Sequence, residues 1–278
     1  MKTPIASISR VSNILKTNHL QAKKFFGQNF IVDRNIIDKI IKVSQINVES
    51  NVLEIGPGIG SLTEALCENA KRVIAVEIDS HMVSILRDTC GRFDNLTIMH
   101  ADFLSVDVND LCQKQLSVCA NLPYYVTTPI LFKLFESNCD FDRIVVMVQK
   151  EVAQRFSAKK DTKQYNALSL FVQTCFDVKL EFDVSKHVFI PKPAVDSSVV
   201  SFVKKEAIDV KELQPIFEFI KKCFAHRRKT LHNNLKDIVG DKADIPQILQ
   251  IANLPENIRA QSLEFGEFKR LYEVIYED

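Results

Sequence analysis

The first half of the chain alternates short apolar runs with amphipathic ones in a regular order. Strand-like runs rich in valine, isoleucine and leucine lie at 52–55, 72–78, 96–100, 117–120 and 143–148. Runs with helical spacing separate them at 61–69, 80–89 and 127–136. Strands that are joined through helices pair in parallel, because the helix returns the chain to the same edge of the sheet. The sequence therefore predicts an α/β fold with a parallel sheet that is covered by helices on both faces.

The pattern changes in the second half of the chain. Two more strand-like runs, 178–184 and 198–203, flank Phe-Ile-Pro-Lys-Pro at 189–193, whose two prolines predict a stiff extended loop. From about Asp209 onwards the apolar spacing is purely helical, as at Phe217, Ile220, Phe224, Phe265, Phe268, Leu271 and Ile275. We therefore predict three parts: a basic N-terminal arm (1–30), an α/β domain (31–205) and a smaller helical domain (206–278).

Composition excludes several classes of protein. Hydrophobic residues make up 46% of the chain and charged residues 26%, as in ordinary globular proteins. No apolar run is long enough for a membrane span, and the N-terminus lacks the apolar core of a secretory signal, so we expect a cytoplasmic protein. The seven cysteines form no C-x-x-C pair, which predicts reduced thiols, and the six histidines show no metal-binding spacing. We predict no metal site and no membrane contact.

The net charge of +1 conceals two basic segments, 1–30 and 221–236, that contain no acidic residue. Such segments are either solvated helix faces or contacts to a polyanion. The second interpretation predicts these RNA-binding residues: Lys23, Lys24, Lys221, Lys222, Arg227, Arg228 and Lys229.

A glycine-rich turn, Glu54-Ile-Gly-Pro-Gly-Ile-Gly60, follows the first strand of the α/β pattern. Glycines allow a sharp turn and the close approach of a ligand to main-chain amides. Ser61 and Glu64 have the spacing of a capping box for the next helix. Glu77 ends the second strand, where a carboxylate either faces solvent or accepts hydrogen bonds from the ribose hydroxyls of a nucleoside cofactor.

Two further strands of the pattern end in polar residues. Asp102 is either a turn residue or an acceptor for an adenine amino group, with Phe103 beside it. Asn121-Leu-Pro-Tyr124 places an amide, a rigid turn and an aromatic ring together. By itself this motif is more typical of a tight turn sealed by a tyrosine, but after the glycine turn and the other polar strand ends it favours contact with a nucleobase. The G-x-G-x-G spacing and this amide favour S-adenosylmethionine over a dinucleotide as the cofactor.

Motifs along almost the whole chain resemble those of the small-subunit ribosomal RNA adenine dimethyltransferases. They are Phe26-Gly-Gln-Asn-Phe30, the glycine turn, Val76-Glu-Ile-Asp79, Asn121-Leu-Pro-Tyr124, Gln149-Lys-Glu-Val152, Phe189-Ile-Pro-Lys-Pro193 and Ala225-His-Arg-Arg-Lys-Thr-Leu231. The resemblance implies a Rossmann-like S-adenosylmethionine-dependent methyltransferase domain with a smaller α-helical RNA-binding domain. It also implies a cofactor site at Asn29, Ile31, Gly56, Gly58, Glu77, Ile78, Asp102, Phe103 and Asn121. The catalytic residues would be Asn121, Leu122, Pro123 and Tyr124.

The implied reaction is dimethylation of N6 of two adjacent adenosines in the 3′-terminal hairpin loop of 16S ribosomal RNA. The expected partner is the small ribosomal subunit with its 16S rRNA, and the expected oligomeric state is a monomer. Two alternatives stay open: a large-subunit enzyme of the macrolide-resistance type, and a ribosome-assembly factor with little catalysis. Tyr125 and Ile31 depart from the residues that are common in the family, namely asparagine and leucine.

Overall fold

The computed structural model describes residues 3–20, 28–112, 115–206, 208–240 and 243–276. The chain divides into two compact units, which we call the sheet unit (Met1–Ala153 with Val178–Lys204) and the helical unit (Gln154–Asp177 with Lys205–Asp278). The predicted ranges differ from this division, because residues 154–177 group with the C-terminal helices.

Nine strands occur within the described residues. They are β1 (Phe30–Ile31), β2 (Asn51–Ile55), β3 (Arg72–Glu77), β4 (Leu96–His100), β5 (Leu116–Asn121), β6 (Phe141–Gln149), β7 (Phe176–Val184), β8 (Phe189–Ile190) and β9 (Ser197–Lys204). Seven of them form one sheet in the order β4-β3-β2-β5-β6-β9-β7. The pairs from β4 to β6 are parallel and β6 pairs antiparallel with β9, so the predicted α/β class is confirmed.

The helices of the described residues follow in chain order. They are α1 (Ile8–Thr17), α2 (Arg34–Ser44), α3 (Ser61–Asn69), α4 (Ser80–Cys90), α5 (Val108–Leu111), α6 (Thr127–Phe135), α7 (Lys150–Phe156), α8 (Ala167–Cys175), α9 (Val210–Cys223), α10 (Leu231–Val239), α11 (Ile245–Ile251) and α12 (Phe265–Tyr276). No helix in this part of the chain is long and apolar enough to cross a bilayer.

The predicted capping box at the start of α3 is wrong. Gly60 is the N-cap, with φ of 94°, so Ser61 already lies inside the helix. The carboxylate of Glu64 instead accepts a hydrogen bond from the main-chain N–H of Ile5 at 2.7 Å and from Arg92 at 2.7 Å. Both partners are distant in sequence, and the glycine conformation ends the turn without a side-chain cap.

The N-terminal segment is folded onto the sheet unit rather than standing apart from it. Helix α1 buries Val11 and Ile14, and Ile5 is fully buried before it. Further along, β1 pairs antiparallel with β8, with Phe30 opposite Ile190. The predicted extended loop at 189–193 therefore begins with a short strand that holds the end of the N-terminal segment.

Aromatic packing explains the extent of the helical unit. The ring of Phe171 in α8 contacts Phe217 in α9 with a centroid distance of 4.5 Å, and Phe217 contacts Phe265 in α12 at 5.4 Å. Helix α8 thus supplies part of the core that the later helices need. The helical spacing after Asp209 is confirmed, but this spacing could not reveal the contribution of α8.

The prediction that all cysteines are reduced thiols is wrong for one pair. Cys112 and Cys139 form a disulfide, with their Cα atoms 5.6 Å apart. The five other cysteines are buried and form no disulfide among the described residues. The pair was missed because the two residues are separated by 27 positions and meet only when the chain segments before β5 and β6 are folded.

Candidate active site

One pocket in the sheet unit lies at the carboxyl ends of β2, β3, β4 and β5, the edge where open parallel sheets bind ligands. Its walls include every residue that the sequence predicted for the cofactor and for catalysis: Asn29, Ile31, Gly56, Gly58, Glu77, Ile78, Asp102, Phe103, Asn121, Leu122, Pro123 and Tyr124. Four strand ends and the segment before β1 therefore converge on one cavity.

The glycine turn and Glu77 are linked directly. Gly58 has a φ of 57°, and its N–H donates to Glu77 Oε2 at 3.1 Å. Glu77 Oε1 accepts a hydrogen bond from the main-chain N–H of Asp79 at 2.9 Å, and Asp79 is itself the N-cap of α4. Burial raises the pKa of Glu77, and these two hydrogen bonds oppose that effect. The carboxylate is thus held at the pocket wall in a fixed orientation, and its remaining lone pairs can accept hydrogen bonds from a diol.

Glu54 is a buried carboxyl that the sequence reasoning did not assign to the site. It lines the pocket beneath the glycine turn, is 1% exposed, and its Oε2 makes no hydrogen bond within the described residues. Burial, with a smaller contribution from the negative charge of Glu77, raises the pKa of Glu54 to about 8. A carboxyl group inside an otherwise apolar strand was the signal that could have identified it.

Asp102 is a turn residue, as one of its two interpretations predicted, and it also lines the pocket. It caps the short 3-10 turn Phe103–Ser105, since its Oδ1 accepts from the N–H of Leu104 at 2.9 Å. The side chain is nevertheless exposed at the pocket wall. Phe103, the next residue, is 5% exposed and also lines the pocket, so the cap fixes an acceptor next to an apolar side chain.

Asn121 has its amide oriented by a neighbour from the start of the sheet unit. Its Nδ2 donates to the main-chain carbonyl of Asn29 at 3.2 Å. Because a carbonyl can only accept, the nitrogen of the amide must face Asn29 and the oxygen Oδ1 must lie on the other side. Leu122 is fixed as well, since its N–H donates to the carbonyl of Met147 in β6 at 3.1 Å. The turn therefore presents acceptors in a defined geometry.

The two tyrosines of this turn are held differently. Tyr124 is half-buried, and its hydroxyl lies 2.8 Å from Ser197 Oγ. Burial raises the pKa of Tyr124, so its phenol stays neutral at ordinary pH. Tyr125 is 54% exposed at the mouth of the pocket and makes no hydrogen bond within the described residues. Ser197 was not predicted, because its contact with Tyr124 spans 73 positions.

The predicted RNA-binding residues fall into three groups. Lys23 and Lys24 lie outside the described residues. Lys221, Arg227 and Lys229 lie in the helical unit with partners of their own: Glu218 at 2.6 Å, the carbonyl of Thr162 at 2.8 Å and Asp237 at 3.9 Å. Lys222 and Arg228 are exposed in the same segment and form no ion pair with another described residue. Across the described ranges, no cluster of three or more histidine, cysteine or acidic side chains could hold a metal ion.

Comparison with known proteins extends these observations. Residues 19–276 match the family model of ribosomal RNA adenine dimethylase. The chain is 44% identical to ribosomal RNA small subunit methyltransferase A of Bacillus pumilus, over 99% of this chain and 98% of that protein. It is 43% identical to the protein of the same name from Lactococcus lactis, over 98% and 96%. The predicted resemblance is confirmed.

Solved structures agree with this similarity. A dimethyladenosine transferase from Plasmodium falciparum matches with a TM-score of 0.74 and 28% identity, over 87% of this chain and 95% of that chain. The 23S rRNA methyltransferase ErmE matches with a TM-score of 0.66 over 89% and 99%, but its 22% identity supports the fold alone.

Proposed function

Since the chain belongs to the ribosomal RNA adenine dimethylase family, we propose that it dimethylates N6 of two adjacent adenosines in the 3′-terminal hairpin loop of 16S ribosomal RNA. The methyl donor is S-adenosylmethionine, and the substrate is the small ribosomal subunit during its biogenesis. The protein acts as a monomer in the cytoplasm. The names and near full-length similarity of the small-subunit relatives support this choice over the large-subunit alternative.

The pocket fits the proposed cofactor. The main chain at Gly56 and Gly58 would border the methionine part, and the fixed Glu77 carboxylate would accept hydrogen bonds from the two ribose hydroxyls. Asp102 would accept a hydrogen bond from the adenine amino group, and Ile78 and Phe103 would supply apolar contacts to the base. Asn29 and Ile31 close the site on the side of β1. When bound, S-adenosylmethionine supplies a methyl group on a positively charged sulfur.

The orientation of Asn121 is the single observation that carries the proposed chemistry. The adenine amino nitrogen is a poor nucleophile, because its lone pair is delocalised into the ring. With Nδ2 held by Asn29, the Oδ1 of Asn121 and the carbonyl of Leu122 are left to accept the two amino hydrogens. This arrangement favours a pyramidal nitrogen whose lone pair points away from both acceptors. The product loses a proton readily after transfer, so the site needs no dedicated base.

The target base is held between rigid and aromatic parts of the same turn. Pro123 restricts the backbone, and its carbonyl accepts a hydrogen bond from Thr127 Oγ1 at 3.0 Å. The Tyr124 ring stacks on the adenine, which enters as a single-stranded or extruded nucleotide. The basic segment of the helical unit binds RNA phosphates, chiefly through Lys222 and Arg228, which form no ion pair with any other described residue.

Mass spectrometry of methylated ribosomal RNA tests the proposal. Unmethylated small subunits are incubated with the protein and S-adenosylmethionine, with large subunits in parallel. We expect four methyl groups on two adjacent small-subunit adenosines, and their loss with Asn121→Ala. Methylation of large subunits instead would identify the resistance-type enzyme. Tight binding of small subunits by the wild type without any transfer would identify an assembly factor.

A further inference from the structure

The side chain of Tyr124 is anchored outside its own turn. The Tyr124 hydroxyl and Ser197 Oγ lie 2.8 Å apart, and either can be the donor. Ser197 is fully buried and is the first residue of β9, on the far side of β6 from the strand that carries Asn121. Neither hydroxyl makes another hydrogen bond within the described residues. Each hydroxyl therefore satisfies the hydrogen bonding of the other and offsets the free-energy cost of removing it from water.

The anchor itself is rigid. Ser197 is paired with Gln149 in the antiparallel ladder between β6 and β9. The residue before it, Asp196, accepts a hydrogen bond through its carbonyl from the N–H of Lys150 at 3.0 Å. The backbone of Ser197 is thus fixed by strand pairing, and a site built on paired strands is held more accurately than one built on a loop.

The turn does not fix the ring of Tyr124 by itself. The hydrogen bonds from Leu122 to Met147 and from Thr127 to Pro123 hold the backbone, but the ring can still rotate about its two side-chain torsions. A base that stacks on this ring is placed correctly only if the plane of the ring is fixed. The one polar restraint on that plane in the described structure is the contact with Ser197.

We propose that Ser197 is a positioning residue for methyl transfer, which holds the Tyr124 ring in the plane that stacks on the target adenine. The inference rests on the proposed function, and it means that β9 also contributes a residue that supports catalysis. Ser197 lies behind Tyr124 and is not part of the pocket wall, so it acts on the reaction through the tyrosine alone.

The test is a double-mutant cycle with Ser197→Ala and Tyr124→Phe. Each single variant removes the same hydrogen bond and keeps the aromatic ring. We expect each to lower the single-turnover rate of methyl transfer to small subunits about tenfold, and the double variant to be no slower than either. The dissociation constants of S-adenosylmethionine and of the subunit should change less than about twofold, because the hydrogen bond acts on orientation during transfer.

Ser201→Ala is the matched control. Ser201 lies in the same strand, is 2% exposed, and donates a hydrogen bond to Glu181 Oε1 at 2.7 Å, away from the pocket. This variant loses a buried hydroxyl and its hydrogen bond without touching Tyr124, so its rate should equal that of the wild type. Thermal unfolding of all variants shows whether each one folds.

Several outcomes overturn the inference. The first is a transfer rate that does not change in Ser197→Ala. The second is a double variant whose loss of rate equals the sum of the two single losses in free energy. The third is a loss of rate in Ser201→Ala that equals the loss in Ser197→Ala. In each of these cases the wild type still methylates the subunit and the proposed function stands. A wild type that transfers no methyl group to any adenosine overturns the proposed function, and the inference falls with it.

Discussion

Replacing Glu54 by glutamine should change how the stability of the protein depends on pH. The carboxyl is buried beneath the glycine turn, and its pKa is raised from 4.5 to about 8. A raised carboxyl pKa means that the folded protein holds a proton that the unfolded chain releases. The stabilisation that this proton gives is complete below the unfolded pKa and is lost as the pH rises from about 4.5 towards about 8.

The size of the effect follows from these two pKa values. Between about pH 6 and about pH 9 the unfolded carboxyl is ionised throughout, whereas the folded one ionises only near the upper end. The free energy of unfolding of the wild type should therefore fall by about 2–3 kcal/mol over this range through Glu54 alone. For a unit of this size the melting temperature falls by roughly 5–10 °C. The amide of Glu54→Gln does not titrate, so this variant should lack the loss of unfolding free energy that comes from Glu54.

Thermal unfolding without cofactor, followed by circular dichroism at a series of pH values, measures the difference. Subtracting the Glu54→Gln profile from that of the wild type removes the contributions of the other titrating groups. We expect the variant to gain stability relative to the wild type as the pH rises from 6 to 9. Two parallel profiles would refute the reasoning, because they would mean that Glu54 is already ionised in the folded protein at about pH 6.

Four other substitutions, one of them a control, test separate parts of the structure. Gly60→Ala should lower the free energy of unfolding by about 2–5 kcal/mol in urea denaturation, because a Cβ would lie 2.6 Å from Cys90 Sγ at a φ of 94°. Gly240→Ala, also at positive φ but in open space, is its control and should cost about 1–3 kcal/mol, because its ψ of 166° places it in a region that is almost exclusive to glycine. Arg228→Ala should weaken small-subunit binding. It should also reduce the slope of log binding constant against log salt concentration by about one. Tyr125→Ala should raise KM for the subunit about 5-fold or more without changing S-adenosylmethionine affinity, since an exposed ring at the pocket mouth suits stacking on a base.

Each of these expectations has a contrary result. Equal losses of stability for the two glycine variants would show that the contact with Cys90 is relieved by a small shift. An unchanged salt slope for Arg228→Ala would mean that the guanidinium contacts no phosphate. An unchanged KM for Tyr125→Ala would leave the exposed ring without a role in substrate binding.

The parts of the site that the sequence predicted are those determined locally. A glycine turn after a buried strand and polar residues at the next strand ends, such as Glu77 and Asn121, belong to a repeating β-α pattern. That pattern alone places them on one edge of the sheet.

The parts that were missed depend on contacts between distant segments. Glu64 was read as half of a capping box, but its real partners are Ile5 and Arg92, and no local spacing indicates either. The disulfide between Cys112 and Cys139 and the contact of Tyr124 with Ser197 are of the same kind. Glu54 was missed for another reason: its burial depends on the finished sheet, and the raised pKa follows from the burial.

The pairing of β1 with β8 also affects the order in which the site is completed during synthesis. The glycine turn and Glu77 emerge early, but Asn29 lies beside a strand whose partner is at residues 189–190, and the anchor of Tyr124 is at residue 197. At about 5–20 residues per second, Ser197 is added roughly 6–24 s after Glu77. A nascent chain therefore contains the glycine turn and Glu77 well before the residue that anchors Tyr124 has been added.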